Sequence, residues 1–172
     1  LPSTYIWKKG KQYIAIGQTI PVTGRDKRKT IHPIKISENT IYNAFSKIKY
    51  FEIEKGKKSK PQRVFSEGNI DLLSRKVPEA LSKANKDQDV LFEVFTLRKK
   101  FKFLPTTIDT TAGYLFIERG RINIIFEKIN EDYQGYDYDK ERRIAGSNVN
   151  GVYSGRYDIA KGWVVLTSKS WK

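Results

Sequence analysis

The sequence predicts an α+β domain in which a mostly antiparallel sheet carries two helices packed on one face. Three observations lead to this class. Only two segments repeat their apolar residues with the period of a helix. The other apolar segments alternate with polar residues, and several are joined by the short turns of antiparallel hairpins. Two helices among so many strands are too few for a parallel, doubly wound sheet.

The chain begins with a predicted hairpin, in which residues 5–7 and 12–16 alternate around a Lys-Lys-Gly-Lys turn. Residues 24–29 are predicted as a basic loop. Residues 30–36 alternate again and are predicted as a third strand. Pro33 lies within that strand, and its missing N–H favours an edge or strand-start position.

Two helices are predicted from caps and apolar stripes. Ser37 is the N-cap of a helix over about residues 38–48, and Ser66 caps a second helical stretch. The second stretch contains Pro78, so either the helix kinks there or another helix begins with Pro78 in its first turn. The stripes consist of Ile41, Ala44, Phe45 and Ile48 in the first helix, and Ile70, Leu73, Val77, Ala80, Leu81 and Ala84 in the second.

The remaining strands are predicted over residues 50–54, 90–97, 110–118, 121–129 and 163–167. The segments 110–118 and 121–129 form the strongest hairpin signal, around Arg119-Gly120. Residues 55–61 are predicted as a basic turn, and residues 130–155 as long loops. We expect a single α+β domain over residues 1–168, followed by a C-terminal tail over 169–172.

The composition favours an exported protein with an acidic partner. The formal net charge is +14 over 172 residues, and the chain has no cysteine. The absence of thiols suits an oxidising compartment and excludes disulfides and thiolate zinc sites. No apolar run approaches the roughly 20 residues of a membrane span. The expected location is the periplasm or the outer-membrane surface.

No catalytic, cofactor or metal site is predicted. The single histidine, His32, lies in an apolar segment and is interpreted as structural. The glycines form no phosphate-binding loop, and the paired carboxylates lack the context of an acid–base pair or a calcium loop. The expected activity is therefore binding rather than catalysis.

Basic and aromatic residues in predicted loops are the candidate partner-binding set. They indicate either an anionic partner or ordinary solvated loops in a lysine-rich protein. Tyrosines and a C-terminal tryptophan add candidate subunit contacts. The set comprises Arg25, Lys27, Arg28, Lys29, Lys99, Lys100, Phe101, Lys102, Tyr133, Tyr136, Tyr138, Arg142, Arg143 and Trp171.

Four short motifs follow one another along the chain. They are His32-Pro33-Ile34-Lys35-Ile36-Ser37, Val64-Phe65-Ser66, Gln88-Asp89-Val90-Leu91-Phe92 and Gly120-Arg121-Ile122-Asn123-Ile124-Ile125-Phe126. Across about residues 30–127 the chain resembles an uncharacterised family of exported proteobacterial proteins. The resemblance implies an envelope-associated, lipoprotein-like domain without known enzymatic activity, although this chain has no cysteine for a lipid anchor. The lysine- and isoleucine-rich composition is similar to that of Legionella-type accessory proteins in the outer-membrane core of the Dot/Icm type IV secretion system.

Two functional hypotheses follow. The first is a non-enzymatic structural subunit of a bacterial cell-envelope assembly, with other protein subunits as partners and an anionic envelope polymer or lipid as a further partner. The second is a basic nucleic-acid-binding module that uses Lys99, Lys100, Phe101, Lys102, Arg142 and Arg143. No known nucleic-acid-binding motif appears in the sequence, which favours the first hypothesis.

Overall fold

Twelve helices and strands are present in the computed structural model, which describes residues 2–19, 30–98, 102–103, 106–133, 157–158 and 163–166. In chain order they are β1 (Pro2–Lys9), β2 (Gln12–Gln18), α1 (Glu38–Ser46), β3 (Lys49–Glu54), β4 (Lys57–Lys58), β5 (Gln62–Arg63), α2 (Glu67–Lys83), β6 (Gln88–Arg98), β7 (Thr107–Glu118), β8 (Arg121–Asp132), β9 (Tyr157–Asp158) and β10 (Trp163–Leu166). The predicted tail over 169–172 and the expected boundary at 168 lie outside the described residues.

A five-stranded antiparallel sheet forms the main layer, in the order β1-β2-β6-β7-β8. The predicted β1–β2 and β7–β8 hairpins are both present. The β7–β8 turn places Arg119 at φ 52° and Gly120 at φ 67°. Two successive positive φ values match the right-handed twist of the strands, as a tight hairpin requires.

Both predicted N-caps are confirmed. The Ser37 hydroxyl accepts the Thr40 N–H at 3.1 Å, and the Ser66 hydroxyl accepts the Asn69 N–H at 3.3 Å. The second stretch is one helix of 17 residues with Pro78 inside it, so no separate helix begins at the proline.

The core lies between the helices and one face of the sheet, which confirms the predicted α+β architecture. Four phenylalanines meet at its centre: Phe45 from α1, Phe65 before α2, Phe92 from β6 and Phe126 from β8. Their ring centroids lie 5.2–6.2 Å apart in tilted or edge-on pairs.

The other face of the sheet also buries apolar side chains. Leu91, Tyr114 and Ile125 are register partners across three strands and form a second cluster with Phe116. Side chains alternate between faces along a strand, so these four point away from the helices. The interior strand β7, which lies between β6 and β8, is therefore buried on both faces.

A second, smaller sheet has the order β4-β3-β10-β9, and β5 also pairs with β3. Its central pair joins β3 to β10 antiparallel, with Trp163 opposite Glu52. Asn130 connects the two sheets, because its amide donates to the Tyr50 hydroxyl at 3.2 Å and to the Val64 carbonyl at 3.3 Å.

The strand predicted over residues 30–36 is wrong. The Ile31 N–H donates to the Ile117 carbonyl, whereas the Ile34 N–H donates to the Leu81 carbonyl of α2. A segment whose backbone bonds alternate between a strand and a helix cannot form a ladder. Of its apolar side chains, Ile34 and Ile36 pack against the core, whereas Ile31 is 47% exposed.

His32 from the same segment completes the hydrogen bonding of the sheet. Its Nε2 accepts the Ile117 N–H at 3.0 Å, and its Nδ1–H donates to the Gln88 carbonyl at 2.8 Å. The buried imidazole therefore bridges β6 and β7, which agrees with its interpretation as structural.

Two loop predictions also need correction. Residues 57–58 form the short strand β4 within the segment 55–61 where a basic turn was expected, and residues 62–63, which follow that segment, form the short strand β5. Strand β8 continues to Asp132 instead of ending at 129, because a bulge at Asn130 (φ 45°) keeps the chain paired with β7.

Candidate functional site

The predicted partner-binding residues fall mainly outside the part of the chain that the structure describes. Lys102 and Tyr133 are described. The others, which lie outside the described residues, are Arg25, Lys27, Arg28, Lys29, Lys99, Lys100, Phe101, Tyr136, Tyr138, Arg142, Arg143 and Trp171. The described residues next to them nevertheless show where two of the basic segments attach to the fold.

The two basic segments leave the sheet at opposite ends of β6. Thr19 and Thr30 flank the first segment, and both bond to the turn before β6: the Thr19 N–H to the Asp87 carbonyl at 2.9 Å and the Thr30 hydroxyl to the Lys86 carbonyl at 2.6 Å. The second segment follows Arg98, the last residue of β6. The 11 residues of that strand span about 35 Å. These attachment points are not neighbours.

The end of the β6–β7 hairpin exposes apolar side chains beside a cation. Arg98 pairs with Thr107 and closes the loop. The side chain of Phe103 is 96% exposed and that of Leu97 is 72% exposed, and Lys102 is exposed between them in sequence. We call Leu97, Lys102 and Phe103 the hairpin tip. Phe103 was not in the predicted set, although its alternation with Lys102 was visible in the sequence.

Arg98, at the base of this hairpin, is held within the fold. Its Nε lies 2.5 Å from Oδ2 of Asp109, whose side chain is fully buried. A buried carboxylate needs a paired cation, because removing the partner would leave an uncompensated charge. Arg98 therefore contributes to hairpin structure, and the exposed cation described at the tip is Lys102.

A row of aromatic side chains lies on the sheet face opposite the helices and extends toward the end of the sheet that carries the hairpin tip. Tyr5 of β1 meets Tyr13 of β2 edge-on, with ring centroids 5.8 Å apart. The Lys8 ammonium lies 4.6 Å from the centre of the Tyr5 ring, within cation–π range. Tyr5 remains 49% exposed, so this pair is open to a partner.

The row continues with a second pair on the same face. Phe95 of β6 lies against Tyr133, with ring centroids 4.8 Å apart, and the Lys11 ammonium lies 5.5 Å from the centre of the Tyr133 ring. The Tyr133 N–H donates to the Ile108 carbonyl at 2.7 Å, which holds the residue at the end of β8. We call Tyr5, Tyr13, Phe95 and Tyr133 the aromatic row.

The phenol of Tyr13 is held neutral. Burial is the largest cause of a strongly raised pKa, and the carboxylates of Glu93 and Glu127 raise it further. Glu93 is the direct cross-strand partner of Tyr13. Ionising this tyrosine would place a second negative charge beside Glu93 in a partly buried site.

We expect protein stability to fall above pH 10 partly because of Tyr13. Below the ordinary tyrosine pKa of 10.0 the phenol is neutral in both folded and unfolded chains, so it adds no pH dependence. Above that pH the unfolded chain releases the proton first, and the free energy of unfolding decreases. In urea unfolding at a series of pH values, Tyr13→Phe should lose stability less steeply above pH 10. An identical slope in the variant would contradict this assignment.

The described residues offer no metal-binding cluster, and comparisons with known proteins identify no family for this chain. Among the described residues, no three or more His, Cys, Asp or Glu side chains are placed to hold a metal ion. No helix in this part of the chain is long and apolar enough to cross a bilayer. Comparisons of the chain with protein-family models, curated proteins and solved structures find no significant match. The proposals below therefore depend on the residues and their geometry.

Proposed function

We propose that this protein is a non-enzymatic structural subunit of a bacterial cell-envelope assembly, located in the periplasm or at the outer membrane. Its partners are other protein subunits, as in the outer-membrane core of a Legionella-type Dot/Icm type IV secretion system. The aromatic row carries this proposal, because it presents partly exposed tyrosines with lysines over two of its rings.

The composition of the aromatic row is that of a protein interface. Tyrosine is enriched in interfaces because it combines a large apolar ring with a polar hydroxyl. Tyr5 lies on β1, an edge strand of the large sheet. Two register shifts in the β1–β2 pairing bend that edge, which disfavours addition of a further strand. Binding through side chains of the face fits this geometry better than strand addition.

The buried polar side chains support a structural role. The buried His32 bridges two strands, the buried Asp109 pairs with Arg98, and the half-buried Asn130 joins the two sheets. Each of these groups satisfies a backbone or side-chain partner within the fold. This use of buried polar groups favours a protein that acts through its exterior.

Site-specific photo-crosslinking tests the proposal. A benzophenone amino acid placed at Tyr5 in the full-length protein should yield a discrete crosslinked species in intact cells of the producing bacterium. The same amino acid at Lys35, which is exposed away from the aromatic row, is the matched control. The proposal fails if the Tyr5 position gives no crosslink beyond the control and the protein runs as a lone monomer in gel filtration of membrane extracts.

A nucleic-acid-binding module is the second candidate. The observation that favours it is the exposed ring of Phe103 beside Lys102, since single-strand binders combine stacking aromatics with cations. Its binding residues would be Lys99, Lys100, Phe101, Lys102, Arg142 and Arg143. It predicts micromolar affinity that falls steeply with salt. Flat titrations with single- and double-stranded probes at low salt would exclude this function.

A further inference from the structure

We propose that the hairpin tip docks on an anionic phospholipid bilayer, with Phe103 and Leu97 entering the interfacial region. This inference goes beyond the proposed function and does not depend on it, because the protein and lipid vesicles alone suffice for its test. The observation that carries it is the joint exposure of two large apolar side chains beside a cation at one end of the sheet.

The apolar part of the tip is poorly explained by folding alone. Four large hydrophobic side chains are exposed among the described residues, and two of them, Leu97 and Phe103, belong to this one hairpin. The Phe103 side chain has almost no protein neighbours to cover it. Transfer of such side chains from water into an apolar surrounding is favourable in proportion to the area removed from water.

The charge around the tip is complementary to anionic lipids. The sequence from Lys99 to Ile108 contains Lys99, Lys100 and Lys102 and no acidic residue, and the charge of Arg98 is balanced by Asp109. The β1–β2 turn lies at the same end of the sheet, because the Phe95 N–H donates to the Gln12 side chain at 2.9 Å. That turn adds Lys9 and Lys11, and the end of β8 adds Glu131 and Asp132, so the lysines outnumber the carboxylates at this end. Cations close to an anionic membrane surface are each attracted to it.

The details of the tip favour lipid over single-stranded nucleic acid. Leu97 is aliphatic and offers no ring for a base to stack on, whereas hydrocarbon accepts both Leu97 and Phe103. The other rings near this end of the sheet are already in contact, because Lys11 lies over Tyr133 and Tyr133 lies against Phe95. Bases could reach these rings only by displacing the lysine.

Vesicle flotation with the purified full chain tests the inference. The probes are vesicles of phosphatidylcholine alone and vesicles containing phosphatidylglycerol. We expect binding to the anionic vesicles only, weakened by salt. Phe103→Ser should lower the partition coefficient about tenfold, and Lys102→Glu should lower it by a similar factor.

Two control variants change an exposed apolar side chain and an exposed lysine at the other end of the sheet. Ile31→Ser removes a 47% exposed apolar side chain, and Lys86→Glu reverses an exposed charge in the turn before β6. Both should bind anionic vesicles as the unmodified protein does. Circular dichroism should show all four variants folded, because each altered side chain is exposed.

Three results would overturn the inference. The first is no binding to anionic vesicles at low salt. The second is binding that Phe103→Ser leaves unchanged. The third is a single-stranded oligonucleotide that binds more tightly than the vesicles and whose binding weakens in Phe103→Ser, which would assign the tip to nucleic acid. None of these results bears on crosslinking from Tyr5, so the failure of this inference is distinguishable from failure of the proposed function.

Discussion

Replacing Phe65 with alanine should lower the free energy of unfolding by about 4 kcal/mol. The Phe65 side chain is 1% exposed and its ring lies within 5.2–5.9 Å of the rings of Phe45, Phe92 and Phe126. It thus joins helix α1 to strands β6 and β8. Truncation removes the transfer free energy of the ring and leaves a cavity that three rings cannot close without moving.

Phe103→Ala is the matched control for this truncation, since it deletes the same ring from a 96% exposed position. Its effect on the free energy of unfolding should lie within about 0.5 kcal/mol of zero. Urea unfolding followed by circular dichroism measures both variants. Similar losses in Phe65→Ala and Phe103→Ala would show that the four-ring cluster is not the centre of the core.

Replacing Gly113 with alanine should lower the free energy of unfolding by about 3 kcal/mol. A Cβ at this position in β7 would overlap the carbonyl oxygen of Ile125 and approach the Phe126 Cα at 3.1 Å. Both obstacles are backbone atoms of the neighbouring strand β8, so no side-chain rotation relieves the overlap. The edge strand β8 would have to move away from β7 near the middle of their pairing.

Gly68→Ala is the matched control, and we expect it to change the free energy of unfolding in the opposite direction. Gly68 lies in the first turn of α2, and a Cβ there meets nothing within 4 Å. Alanine should raise the free energy of unfolding by about 0.5 kcal/mol, because it restricts the unfolded chain and favours helix. Thermal and urea unfolding of the pair should give shifts in opposite directions. Equal shifts would contradict the close approach of β7 and β8 at Gly113.

The elements that were predicted correctly are those whose signals are local. The helix caps at Ser37 and Ser66 depend on a hydroxyl and an N–H three residues away. The β7–β8 hairpin depends on a turn that accepts two positive φ values. By contrast, residues 30–36 alternate as a strand does but bond to both β7 and α2. Alternation of apolar residues does not specify which backbone pairs with the segment, and in this segment Ile31 of the alternating set is exposed.

The candidate site was predicted less completely than the fold. Lys102 and Tyr133 were identified from their residue types and neighbours, and the structure places both at the same end of the sheet. Phe103 and Tyr5 were not in the predicted set, and residue type alone does not distinguish an exposed aromatic side chain from a buried one. The aromatic row could not be predicted from the sequence. Tyr13 and Phe95 lie in different strands, 82 residues apart along the chain, and only the pairing of those strands places both side chains on one face of the sheet.

The amino-acid sequence is sufficient to predict the fold class, the two capped helices, the main hairpins and the strong positive charge. These properties follow from side-chain type, spacing and turn chemistry within a few residues. Three-dimensional packing establishes the strand order, the burial of β7 on both faces, the bridging role of His32 and the attachment of the two basic segments to opposite ends of β6. These properties depend on which distant backbone groups form hydrogen bonds with each other, and the packing of the whole core determines those partners.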